Sequence, residues 1–236
     1  LDKSFDSDGK QKFELTNGVD YIHDMQVLDD GKILAVGAIN NRFGIMRFNA
    51  NMTLDATFGT SGRTQASFSE GVHAQTFTID SAGRIIVVGG DKIARFTADG
   101  ALDTTFSEDG WATDDHVAQC HSITIEADGN YLVAGRDNEH FRLSRWSPDG
   151  SRTATYERDV DGDDRDYARS VISKDDGDVF LLGVGGDYRS YNNYRDHAVV
   201  RLNRDLVFEA EYKYDFGAGT NAVSYTHLTL PTSVIV

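Results

Sequence analysis

The chain has one cysteine in 236 residues, so no disulfide can form within it. That residue, Cys120, stands at the start of a predicted strand and reads as a small core residue rather than a nucleophile. Cations are also scarce: 23 Lys and Arg stand against 38 Asp and Glu, a formal net charge of −15. A field of that sign disfavours nucleic acid and anionic membrane surfaces, and leaves cations, basic proteins and neutral sugars as partners. No apolar run is long enough to span a bilayer, so membrane insertion is not expected. No segment keeps helical periodicity, and none of the seven histidines stands in a His-x-x-x-His spacing. The recurring glycines have no helix behind them, which excludes a phosphate-cradling loop. Apolar residues still make up 39% of the chain and aromatics 11%, enough for a packed core.

What is present is a repeat. Asp30-Gly31-Lys32-Ile33-Leu34-Ala35-Val36-Gly37 returns as Ala82 to Gly89, Asp128 to Gly135 and Asp176 to Gly183. The turn glycines stand at 31, 83, 129 and 177, each with a second glycine six residues later. An arginine follows in every copy (Arg47, Arg95, Arg145, Arg201), and eleven residues on comes an aromatic (Phe58, Phe106, Tyr156, Tyr212). Each unit reads as four short strands, with the first joined to the second by a two-residue hairpin centred on Asp-Gly. The aliphatic second strand, as at Ile33 to Val36, fits a strand covered on both faces. The recurrent aromatic is expected in strand four. The chain is therefore expected to be all-β: a β-propeller fragment of four-stranded antiparallel blades, with four complete repeats of about 48 residues and partial units at both ends. A flat β-solenoid competes, but its parallel coils fit poorly with hairpin turns.

The pattern Leu54-Asp55 to Phe58-Gly59, Asp30 to Gly37 and Arg47-Phe48-Asn49 resembles the delta-60 repeat, a bacterial propeller repeat of unknown function. The resemblance is closest over residues 22–62 and weakens where Arg152-Thr153 and Phe208-Glu209 replace Leu-Asp. It implies a propeller fold and an extracellular or cell-surface location, and it assigns no catalytic residue. No signal peptide is visible. Residues 223–232 resemble translated sequencing-adapter read-through. One propeller domain is thus expected over residues 1–222, with a non-native tail over 223–236.

Three segments carry candidate chemistry. Asp159, Asp161 and Asp163, with Asp166 beyond them, have the alternating spacing of a calcium loop. Asp164, however, holds the position where such a loop needs glycine, and a solvated acidic loop is the competing reading. The long connection after Gly183 carries Tyr188, Arg189, Tyr191, Asn192, Tyr194 and Arg195, a composition that suits a binding loop or a tolerated insertion. Eight residues before the turn glycines stand His23, Gln75, His121 and Arg169, and ten before stand Tyr21, His73, Gln119 and Tyr167. These are expected at the mouth of the central channel, as a ligand ring or as ordinary wet surface. The recurrent arginine reads as a latch to the acid eight residues on, present in three copies of four. The leading function is a non-catalytic binding or structural module that takes an unknown protein or carbohydrate and needs no cofactor, calcium excepted. The alternatives are a hydrolase or lyase acting at the channel mouth and a purely architectural spacer.

Overall fold

A computed structural model describes residues 18–66, 68, 71–137, 140–160, 166–185 and 196–214. The fold is a β-propeller. Its first blade is β1 (Tyr21–Val27), β2 (Ile33–Ile39), β3 (Arg42–Phe48) and β4 (Arg63–Gln65). The second is β5 (Thr76–Ile79), β6 (Ile85–Gly89), β7 (Lys92–Phe96) and β8 (Trp111–Thr113). The third is β9 (Gln119–Ile125), β10 (Tyr131–Arg136), β11 (Phe141–Trp146) and β12 (Arg152–Arg158). The fourth is β13 (Tyr167–Ser173), β14 (Val179–Gly185), β15 (Asp196–Leu202) and β16 (Phe208–Tyr214). Each blade is an antiparallel sheet in simple chain order. The turns joining strands one to two and three to four therefore lie on one face. The two-to-three loops and the links between blades lie on the other.

Two expectations about the repeat need correction. The one-to-two turn is not a two-residue hairpin. Gly31 N–H donates to the Leu28 carbonyl at 2.9 Å, and only the glycine has positive φ, at 79°. This is a type I turn closed by a left-handed residue. The acid in the turn explains the choice, since Asp30 Oδ1 accepts from Lys32 N–H at 3.0 Å and that local bond holds it in an ordinary conformation. The same bond recurs at Asp128 and Asp176. The aromatic is not in strand four throughout. Phe58 and Phe106 lie ahead of three-residue outer strands, whereas Tyr156 and Tyr212 lie within β12 and β16. Asp55 makes the difference by accepting from both the amide and the hydroxyl of Thr57, which turns the chain; Asp103 does the same with Thr105. The third and fourth copies, with Thr153 and Glu209 at that position, stay extended.

Three of the four buried clusters among the described residues form between blades; the fourth, Ala35, Ile39, Met46 and Phe48, belongs to the first blade. Leu34, Ile45 and Phe58 of the first blade pack with Phe77, Val87 and Phe96 of the second. Phe106 of the second packs with Cys120, Tyr131 and Trp146 of the third. Leu143 of the third packs with Val171, Leu181 and Leu206 of the fourth. A sheet hydrophobic on both faces reads as a continuous aliphatic strand, which is what β2, β6, β10 and β14 show.

The arginine latch is present and reaches further than the sequence suggested. Arg47 Nε meets Asp55 at 2.7 Å and Arg95 Nε meets Asp103 at 2.7 Å. Arg201 Nε meets Glu209 at 3.0 Å. Arg145, which lacks the acid, turns instead to Glu126 at 2.6 Å. The other end of the guanidinium crosses to the next blade. Arg47 donates to the Ala98 carbonyl at 2.8 Å, Arg95 to the Pro148 carbonyl and Arg145 to the Arg204 carbonyl at 2.7 Å. Each acceptor is the same residue of the next blade's three-to-four turn, so the staple has a direction along the chain.

Candidate functional site

The starts of the four inner strands lie on the face of the two-to-three loops and the links, and in three of them a β-bulge aims a side chain. Pairing slips by one residue at Ile22/Asp24, at Ala134/Gly135 and at Ala168/Ser170. His23, His121 and Arg169 are the extra residues there. A bulge re-aims the side chain it carries. It also explains the second glycine of the repeat. A Cβ on Gly37, Gly89, Gly135 or Gly183 would lie about 2 Å from the backbone oxygen of Tyr21, His73, Gln119 or Tyr167 respectively, so no side chain fits opposite the bulge.

His23 and His121 are not brought together. His23 Nδ1 bonds the Ala74 carbonyl at 2.9 Å, across the first junction. His121 Nδ1 bonds the Ala168 carbonyl at 2.9 Å, across the third. Both carbonyls occupy the same repeat position, so the two histidines are equivalent stitches between neighbouring inner strands. Burial pushes the His121 imidazole below its usual value of 6.5, so it donates to Ala168 as a neutral ring.

Around these stitches the starts of the inner strands form two differently built sectors. Between the first and second blades, Tyr21 hydroxyl bonds His73 Nδ1, and His73 Nε2 faces Asn41 Oδ1 at 3.0 Å. The amide oxygen of Asn41 accepts, so His73 Nε2–H donates to it, and the ring links Tyr21 to Asn41. Burial raises the Tyr21 phenol above its usual range. Between the third and fourth blades, Arg136 donates to Gln119 Oε1 at 2.9 Å. The guanidinium carbons of Arg136 and Arg169 lie 5.5 and 4.5 Å from the Tyr167 ring centre. His121 meets the same ring edge-on at 6.1 Å. This sector concentrates positive charge on a strongly acidic chain, with an aromatic ring at its centre.

A second polar group on this face was missed in the sequence. Arg142 pairs with both Asp137 and Glu157. His116 Nδ1 lies 3.5 Å from Arg142 Nη1, and its Nε2 lies 3.1 Å from the Tyr156 carbonyl. Deeper in, Asp114 is fully buried and takes the Trp146 indole at 3.2 Å, Arg152 at 3.1 Å, the Ser144 hydroxyl and two backbone amides. Asp114 is a satisfied bracket for the link between the second and third blades. Neither group sits at a repeating position, which is why pattern reading passed over them.

The other sequence candidates are less informative. Asp166 is buried and accepts the Val160 amide, closing the base of its link, while Asp159 is exposed. Asp161 and Asp163 lie outside the described residues, as do Tyr188, Arg189, Tyr191, Asn192, Tyr194 and Arg195, and the tail over 223–236. Among the described residues, no group of three or more His, Cys, Asp or Glu side chains is placed to hold a metal ion. No helix among them is long and apolar enough to cross a membrane.

Known proteins agree with the fold and go no further. The model of a β-propeller domain of unknown function (DUF5122) matches residues 28–58 and 83–106. The chain is therefore similar to a β-propeller repeat family. A protein of unknown function from Bacteroides caccae superposes with a TM-score of 0.53 at 11% identity, covering 82% of this chain and 67% of that one. A member of the duf4221 family from Bacteroides vulgatus gives 0.44 at 12% identity, covering 79% and 65%. The Nup133 β-propeller domain of Vanderwaltozyma polyspora gives 0.46 at 10%, covering 84% and 58%. At these identities the likeness concerns architecture alone. No curated protein matches the chain.

Proposed function

We propose that this chain is a non-catalytic binding module of a secreted or cell-surface bacterial protein, with the channel mouth as its ligand-facing surface. The propeller is assigned to residues 1–222, and the repeat pattern supports its placement among delta-60-like repeats. The observation that carries the reading is the arrangement around Tyr167. Two guanidinium groups and an imidazole gather on one ring beside the Gln119 amide. Tyr167 is buried beneath these groups and holds them in place, so the surface offers oriented cationic and amide donors, which suits a peptide carboxylate or a sugar hydroxyl. The histidines support binding over acid–base chemistry, because His23 and His121 each spend a ring nitrogen on a backbone carbonyl.

Glycan and peptide arrays, followed by calorimetry on the hits, test this. A ligand whose affinity falls about tenfold or more in Arg169→Ala is the expected result, a loss typical of one charge-assisted contact. Turnover of a substrate in a metal scan, or binding that ignores every mouth variant, contradicts it.

A further inference from the structure

Two arginines at the starts of the inner strands stand without a carboxylate. Most cations among the described residues are paired: Arg95 with Asp103, Arg152 with Asp114 and Asp115, and Arg158 with Glu211. Among the described residues no carboxylate lies within ion-pair distance of Arg136 or Arg169. Arg136 donates from Nε to Gln119 Oε1 at 2.9 Å. Arg169 is exposed and donates to no described residue. A guanidinium carries several N–H donors in a fixed fork, so most donors of this pair are unspent.

The local structure keeps them so. Asp137 follows Arg136 directly, yet it pairs with Arg142. Asp166 stands just ahead of Tyr167, yet it is fully buried and accepts the Val160 amide. The carboxylates next to them in sequence are thus committed elsewhere. The fold does not call for these two cations either. The residue after the second glycine of the repeat is Arg136 here, and Ala38, Gly90 or Val184 in the other copies. The counterparts of Arg169 are His23, Gln75 and His121.

Both arginines are gathered on one fixed ring. Their guanidinium carbons lie 5.5 and 4.5 Å from the centre of Tyr167, which is 8% exposed and packed in place. Both also act on His121: burial first, and with it the positive charges of Arg169 and Arg136, push that imidazole below its usual 6.5. His121 therefore adds no charge near neutral pH, and its Nδ1–H is spent on the Ala168 carbonyl. The two guanidinium groups repel one another, and an anion that both hold turns that cost into binding.

Charge decides which anion. The chain carries a formal net charge of −15, a field that opposes polyanions and favours a ligand that is basic apart from one anionic group. A peptide with lysine or arginine behind a free C-terminus is such a ligand. Its terminal carboxylate is planar and accepts paired N–H bonds from a guanidinium. The Gln119 oxygen already accepts from Arg136, which leaves the exposed Gln119 NH2 to donate to a peptide carbonyl.

We infer that Arg136 and Arg169 together bind the terminal carboxylate of a basic peptide. The inference rests on the proposed use of this face for binding and adds the class of ligand. Two arrays of random hexapeptides with a central lysine, identical except for a free carboxylate or an amide at the C-terminus, test it on the full chain, with calorimetry on the hits. The expected hits fall in the free-carboxylate array, and each loses about tenfold or more in affinity on amidation, as for one charge-assisted contact. Arg136→Gln and Arg169→Gln should each weaken the free peptide about tenfold and leave the amide as weak as before. Circular dichroism checks that the variants fold. If Arg136→Gln does not, Arg169→Gln decides alone, because its side chain is exposed and it should melt within about 2 °C of the unaltered chain.

Peptides that bind equally well as acid and amide, yet weaken in Arg169→Gln, overturn the carboxylate and leave the binding surface standing. Binding that ignores both variants overturns the two readings together. Arrays with no carboxylate-dependent hit also overturn the inference, as does tighter binding of inorganic phosphate or oligoglucuronate than of the peptide.

Discussion

The two faces of this propeller are built on opposite principles. On the face of the one-to-two and three-to-four turns the copies repeat one solution: an acid bonding forward within the one-to-two turn, a residue with positive φ closing each turn, and, in the first three copies, an arginine crossing to the next blade. On the opposite face, three inner strands repeat the bulge and all four copies keep the glycine beside it. The side chains at that position are His23, Gln75, His121 and Arg169: the two histidines stitch neighbouring blades, and Gln75 and Arg169 depart from them. Uniformity marks what the fold requires of every blade. Variation marks positions where the fold is indifferent and a ligand can choose.

If that contrast is right, variants on the two faces should divide cleanly between stability and binding. The largest effect is expected from Arg95→Ala, which strips the staple from the second junction and leaves Asp103 buried with only Thr105. Breaking one partner of a buried pair costs about 3–5 kcal/mol, read as a lower midpoint in denaturant. Next comes Gly135→Ala. Its Cβ would lie 1.9 Å from the Gln119 oxygen, so the bulge has to move. About 1–3 kcal/mol is expected, as for other overpacked sites, together with altered chemical shifts at His121.

Smaller effects should come from pH. Burial places the folded pKa of His121 below the unfolded value near 6.5, so the unfolded chain takes the proton first. Its contribution is full above about pH 6.5 and declines as the pH falls toward the lower folded value. In His121→Gln that part of the decline should flatten. The carboxylates work lower down. Thr57 and Lys32 hold the Asp55 carboxyl well below its usual range against the opposing effect of burial. Its contribution is present above the unfolded pKa and lost as acid is added beyond it. The smallest change in stability is expected from Arg169→Ala, at most about 0.5 kcal/mol, because that side chain is exposed and only stacks on Tyr167.

The repeat made the blades legible, and the residues that define it do the work expected of them. Asp30-Gly31 makes a turn, Leu34 to Val36 is buried on both faces, and Arg47 meets Asp55. What the pattern hid has physical causes. The bulge at His23 leaves no mark in composition, because its signature is the glycine on the neighbouring strand, which reads equally well as the end of that strand. The reach of Arg95 to Pro148 depends on stacking between blades, a contact over 53 positions that no local pattern encodes. At the mouth, the sequence singled out His23 and His121 as residue types able to do chemistry. Their position beside Ala74 and Ala168 decided their role instead. Arg136, which joins Gln119 to Tyr167, was overlooked because it ends a second strand and repeats nowhere else.

The division between the faces is tested most directly by melting Arg95→Ala and Arg169→Ala beside the unaltered chain. A loss of several kcal/mol in a chain of this length should lower the Tm of Arg95→Ala by about 10 °C, while Arg169→Ala should melt within about 2 °C of the unaltered chain. Equal shifts in the two variants, or the larger shift in Arg169→Ala, would contradict the assignment of stability to one face and recognition to the other.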